Sequence, residues 1–120
     1  MSKYLKRRAA SFVYAFRGVA ELLRGTPNAV IHVVMAVAAV VLGFYFGIDR
    51  GEWLAIIIVI GLVLALEAVN TAIEGLADMI NEKHDENIRR IKDVAAGAVL
   101  MAAIAALVVG MVIFLPRIFN

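Results

Sequence analysis

Three apolar stretches, each long enough to cross a lipid bilayer, constrain this 120-residue chain more than any other feature. The first, 28–48, has no formal charge and only His32. The second begins at Trp53, stays uncharged to Leu66, and runs on with helical spacing through Glu67, Glu74 and Asp78. The third contains no ionisable group from Val94 to Leu115. Each meets the roughly 20 apolar residues that a helical span requires. Composition agrees. The chain is 63% hydrophobic and 18% charged, against about 45–50% and about 25% in soluble domains. That balance excludes a soluble globular enzyme, a disordered tail and a nucleic-acid-binding module. With no cysteine, a disulfide scaffold, a zinc–thiolate site and a cysteine nucleophile are excluded as well. The expected fold class is an all-α integral membrane protein with one domain over 1–120 and transmembrane helices over 28–48, 53–80 and 90–115.

Basic residues set the expected topology. Lys3, Lys6, Arg7, Arg8, Arg17 and Arg24 precede the first span, and Lys83, Arg89, Arg90 and Lys92 lie between the second and third. The first loop has only Arg50, flanked by Asp49 and Glu52, and the C-terminus has Arg117. The positive-inside bias places the N-terminus and the second loop in the cytoplasm. Residues 3–24 form a separate element. At helical spacing Leu5, Ala9, Phe12, Phe16, Val19 and Leu23 share one stripe, with Lys3, Arg7, Arg17 and Glu21 opposite. This predicts an amphipathic helix in the cytoplasmic interface, its basic face toward anionic headgroups. Gly25, Thr26 and Pro27 then break the helix.

Ionisable groups inside a span are costly, about 2.5–3.5 kcal/mol each on insertion scales, and so call for a reason. Glu67, Asn70, Glu74 and Asp78 recur at helical intervals, which puts them within about 80° of arc on one face, with Thr71 between them. At 1.5 Å per residue Glu67 lies about 21 Å below Trp53, in a hydrocarbon core about 30 Å thick. It is therefore inside the inner boundary, with Glu74 near that boundary and Asp78 beyond it. Counting back through the third span brings Lys92 and Asp93 to the same level.

A carboxylate in a low-dielectric setting has a raised proton affinity, which suits a general base acting on a lipid hydroxyl. A second carboxylate at the water boundary suits a hard divalent cation carrying nucleotide phosphates. A lysine beside it neutralises developing phosphate charge. The pattern fits phosphoryl transfer from a nucleotide to a membrane lipid alcohol. It also fits a proton or ion conduit, or a structural oligomer joined through buried glutamates, and spacing alone leaves the three open.

The segment Glu67-Ala-Val-Asn70-Thr71-Ala-Ile-Glu74-Gly-Leu-Ala-Asp78 resembles the signature E-x-x-N-S/T-A-I-E-x-x-x-D of the bacterial diacylglycerol kinases, which include undecaprenol kinases. Lys92-Asp93-Val-Ala-Ala96-Gly97-Ala98-Val99-Leu100 resembles the family stretch that follows. The resemblance implies a homotrimeric kinase of the bacterial inner membrane that uses ATP and Mg²⁺ to phosphorylate a lipid primary alcohol. It implies Glu67 as proton acceptor, Asn70 as its neighbour in the site, and Glu74 as metal ligand. Arg7, Tyr14, Glu74, Asp78, His84, Lys92 and Asp93 are implied as nucleotide contacts. By itself His84 reads as a solvated loop histidine. Asn28-Ala-Val-Ile31-His32 and the Lys92–Val99 stretch are similar to the Gram-positive branch, which favours undecaprenol over diacylglycerol as acceptor. His32 reads either as a hydrogen-bonded structural histidine or as part of the site wall.

One position departs from the family pattern. The second metal-binding glutamate, at the junction before the first span, is replaced by Thr26, a much poorer Mg²⁺ ligand than a carboxylate. The alternative it raises is a catalytically weak or inactive membrane scaffold. Gly43, Gly47 and Gly51 recur every fourth residue and predict close helix packing at the outer end of the first span.

Overall fold

The computed structural model describes residues 2–80 and 85–120. Four helices follow in order: α1 (Lys3–Gly25), α2 (Pro27–Phe46), α3 (Arg50–Ile80) and α4 (Glu86–Ile118). No strand occurs among the described residues. The helices α2, α3 and α4 are long and apolar enough to cross a membrane, so the chain is a multi-pass membrane protein.

Each boundary has a local cause. The Ser2 hydroxyl accepts from the Leu5 amide and caps α1. Thr26 is extended and separates α1 from α2, where Pro27 takes the first helical turn. Gly47, at φ 62°, ends α2 in the left-handed conformation that lets the chain reverse. The Glu52 amide donates to Asp49 Oδ1 at 2.9 Å, and the Asp49 amide donates to Glu52 Oε1 at 3.1 Å. This reciprocal capping box starts α3 earlier than the expected 53. Asp85 accepts from the Asn87 and Ile88 amides and starts α4 ahead of the expected 90. Pro116 lies inside the last turn of α4, so that helix passes the expected end at 115. The first span stops at Phe46 rather than 48, because Gly47 turns the chain and Ile48 folds back into the core.

The helices α3 and α4 pack antiparallel against each other most extensively, and α2 lies chiefly against α3. Ile48, Ile56, Ile113 and Phe114 form the core, at the end where α2 turns into α3. Of the three periodic glycines, Gly43 alone makes a close approach. A methyl there would meet the Trp53 indole at 2.6 Å, whereas none would meet a heavy atom within 4 Å at Gly47. Trp53 is therefore packing material, tilted 4.8 Å from the Phe44 ring.

The chain does not close on itself. Its accessible surface is 9004 Å², against about 6,300 Å² expected for a globular monomer of this mass. The excess is apolar, with Val34, Val37, Ile57, Ile58, Val94 and Met101 all more than half exposed. The helix α1 buries Leu22 and leaves Leu5, Phe12, Phe16 and Val19 uncovered.

Candidate functional site

The polar stripe of α3 grades from buried to open. Glu67 is 2% exposed and Asn70 8%, while Glu74 and Asp78 face outward at the end of the helix. Helical spacing puts them on one face, and the packing of α2 and α4 decides which of them are covered. The Asn70 side-chain amide donates to Glu74 Oε1 at 3.4 Å. Asn70 Oδ1 and Thr71 Oγ1 are buried without a partner. Buried polar atoms are nearly always satisfied, so two orphans beside a buried carboxylate mark a place built for something other than packing.

Glu67 is not alone. His32 Nε2 of α2 approaches Glu67 Oε2 to 3.5 Å, which makes the pair the one polar link between those helices among the described residues. A lone buried carboxylate would be strongly disfavoured, and the imidazole offsets part of that penalty. From the sequence alone His32 reads as near the site, with no partner assigned to it. The available signal was a polar residue on an uncharged span near the same membrane level as Glu67.

Asp78 pairs with Lys92, joining the last turns of α3 to the first turns of α4. Asp93 pairs with Arg89 at 2.6 Å, and Arg89 also engages Glu86. So the stripe carries two separate contacts, Asn70 with Glu74 and Asp78 with Lys92, with Glu67 buried at its inner end, while Asp93 is paired with Arg89. Arg7 and Tyr14 are exposed on α1, with the Arg17 guanidinium 5.6 Å from the Tyr14 ring. Among the described residues neither makes a hydrogen bond or ion pair with the α3 stripe. Thr26 is half-buried as the N-cap residue of α2, and its hydroxyl makes no capping bond. Lys83 and His84 lie outside the described residues.

Among the described residues no three His, Cys, Asp or Glu side chains cluster as a ready-made metal cage. Glu74 itself is exposed, and its carboxylate accepts from the Asn70 side-chain amide.

The opposite end of the bundle holds a contact that sequence reasoning missed. Arg117 of α4 donates to both carboxylate oxygens of Glu52 on α3, each at 2.7 Å, and to the Ile113 carbonyl at 2.8 Å.

Comparison with known proteins converges on one family. The family described as Prokaryotic diacylglycerol kinase matches residues 13–114. An undecaprenol kinase from Bacillus subtilis is 40% identical over 95% of this chain and 93% of its own length. A diacylglycerol kinase from Synechocystis is 34% identical over 92% of this chain, which spans 63% of that relative. The Escherichia coli diacylglycerol kinase is 33% identical over 62% of each chain. The match runs from α1 into the last turns of α4 and includes the whole buried stripe, and the chain belongs to the prokaryotic diacylglycerol kinase family of lipid kinases.

Proposed function

We propose that this protein transfers the γ-phosphoryl group of ATP, with Mg²⁺, to the primary hydroxyl of undecaprenol at the cytoplasmic face of the bacterial inner membrane. The observation that carries this reading is the gradient along α3, from a buried carboxylate within the helix to exposed carboxylates and a lysine at the helix end. A lipid hydroxyl approaches the buried end of the stripe, and a water-borne nucleotide the open end. Undecaprenol is preferred over diacylglycerol because the relative that the chain covers almost completely is an undecaprenol kinase.

The residues present fit a magnesium ion. Mg²⁺ is commonly held by one or two carboxylates together with substrate phosphates, and the exposed Glu74 offers one such carboxylate. When bound, the ion offsets phosphate charge and polarises the transferred group. Glu67 supplies the negative charge that draws the proton from the acceptor hydroxyl, and Asn70 holds Glu74 in place. Lys92, oriented by Asp78, balances charge on the phosphates. Arg7, Tyr14, Asp93 and His84 complete the nucleotide contacts. The helix α1 lies in the interface with its N-terminus cytoplasmic, its uncovered apolar residues toward lipid.

The unit is a homotrimer. Supporting this are the excess apolar surface and the separation of Arg7 and Tyr14 from polar contact with their own chain's stripe. Thr26 supports a second reading, in which the kinase turns over weakly for want of a second carboxylate.

The test is phosphate transfer from labelled ATP with Mg²⁺ in mixed micelles, with undecaprenol and diacylglycerol offered side by side. Label in undecaprenol that is lost in Glu67→Gln supports the reading. Preferential label in diacylglycerol overturns the acceptor, and undiminished transfer by Glu67→Gln overturns the role of that carboxylate.

A further inference from the structure

Among the polar residues of the α3 stripe, Thr71 alone has no task in the mechanism. Its hydroxyl oxygen is buried and has no hydrogen-bond partner among the described residues. A threonine or serine inside a helix commonly settles its hydroxyl on the carbonyl four residues back. Ser11 on α1 does so, donating to the Arg7 carbonyl at 3.0 Å. Thr71 makes no such bond to the Glu67 carbonyl, although α3 runs unbroken through both residues. It carries a buried donor that nothing among the described residues uses.

Placement narrows what that donor can serve. At 1.5 Å of rise per residue, Thr71 lies about 6 Å past Glu67 along the helix axis and about 4.5 Å short of Glu74. At about 100° per residue it leaves the helix about 40° to one side of Glu67, with Asn70 about 60° to the other. The reacting lipid oxygen has to lie between the carboxylate that takes its proton and the phosphoryl group held toward Glu74. Thr71 is at that axial level. Asn70 has its amide on Glu74, and its free Oδ1 can only accept.

We infer that the Thr71 hydroxyl is a further substrate contact, donating to the acceptor oxygen and holding that oxygen's own proton toward Glu67. This rests on the lipid-kinase reading and deepens it. The acceptor oxygen has one proton and two lone pairs. Its proton passes to the Glu67 carboxylate, one lone pair bonds to the γ-phosphorus, and the other accepts from Thr71 Oγ1. The bond from that phosphorus to the β–γ bridging oxygen breaks, and its electron pair leaves with ADP. The Thr71 proton stays on Oγ1 throughout, so the residue orients the nucleophile and does not titrate. Rate is gained by fixing the geometry of attack.

Two variants separate this role from packing. Thr71→Val keeps the branched shape and removes the hydroxyl, whereas Thr71→Ser keeps the hydroxyl and removes a methyl. Each is measured with ATP and Mg²⁺ in mixed micelles for kcat/KM of the lipid alcohol and KM of ATP, and in detergent for its thermal midpoint. Because the hydroxyl is unpaired in the free protein, Thr71→Val is expected to keep or raise the midpoint. Its kcat/KM for the lipid should fall about tenfold or more, with KM for ATP within about twofold of wild type. Thr71→Ser should stay within about threefold of wild type in kcat/KM. A valine variant within about threefold of wild type overturns the proposal, as does a serine variant as impaired as the valine one. A lowered midpoint or failure to fold in Thr71→Val overturns it too, because the hydroxyl is then a structural bond. A rise in KM for ATP in place of the lipid effect overturns the assignment to the acceptor. A wild type that phosphorylates neither lipid alcohol overturns the lipid-kinase reading itself, and the proposal with it.

Discussion

Arg117 closes on Glu52 with both guanidinium nitrogens at 2.7 Å, joining the last turn of α4 to the first turn of α3 across 65 residues of sequence. The Glu52 carboxylate also accepts from the Asp49 amide, so the same residue serves as a helix cap and as a clamp. This contact fixes the register of the two most extensively packed helices at one end, and Lys92 with Asp78 fixes it at the other. The stripe that carries Glu67 lies on the element held at both ends.

Breaking the clamp therefore lowers stability without touching the site. Arg117→Met is expected to lower the thermal midpoint of the detergent-solubilised chain. Glu52→Gln added to that variant should lower it by less than Glu52→Gln does in the wild type, because the shared interaction is already gone. Equal effects in both backgrounds would show that the pair contributes nothing jointly.

Gly43 is expected to tolerate no side chain. Overpacking against the Trp53 indole costs about 1–3 kcal/mol, while alanine returns about 1 kcal/mol in helix propensity. Gly43→Ala should thus lose on the order of 1 kcal/mol net in reversible unfolding. The double variant Gly43→Ala with Trp53→Phe, which removes the obstructing ring, should recover part of that loss.

Glu74 is the carboxylate best placed for the cation. With ATP held constant, Glu74→Gln is expected to raise the Mg²⁺ concentration for half-maximal transfer by at least about tenfold. The check is a magnesium titration of the transfer rate. An unchanged half-saturation point would remove Glu74 from the metal site.

Thr26 sits where α1 turns into α2, its hydroxyl free of capping bonds. Thr26→Glu is expected to lower the Mg²⁺ requirement and raise turnover by about tenfold, since a carboxylate is a far better ligand for this cation. The same magnesium titration reads it. No change in either quantity would mean that the site works without a second carboxylate at this junction.

Much of the architecture is legible in one dimension. Long uncharged runs can be satisfied only by apolar surroundings, so the three spans were legible to within a few residues. Helical periodicity alone put Glu67, Asn70, Glu74 and Asp78 on one face, since that relation depends on one helix and no other. The motif they form was enough to identify the family resemblance. The partners of these residues across helices come only from the packed fold. Which faces of two helices meet depends on their mutual rotation and axial offset, and those are set by contacts summed over whole helices, among them Gly43 against Trp53 and Arg117 with Glu52. Local spacing carries no information on either quantity. Hence the pairing of His32 with Glu67, the burial of Glu67 and the pairing of Asp93 with Arg89 became visible only in three dimensions.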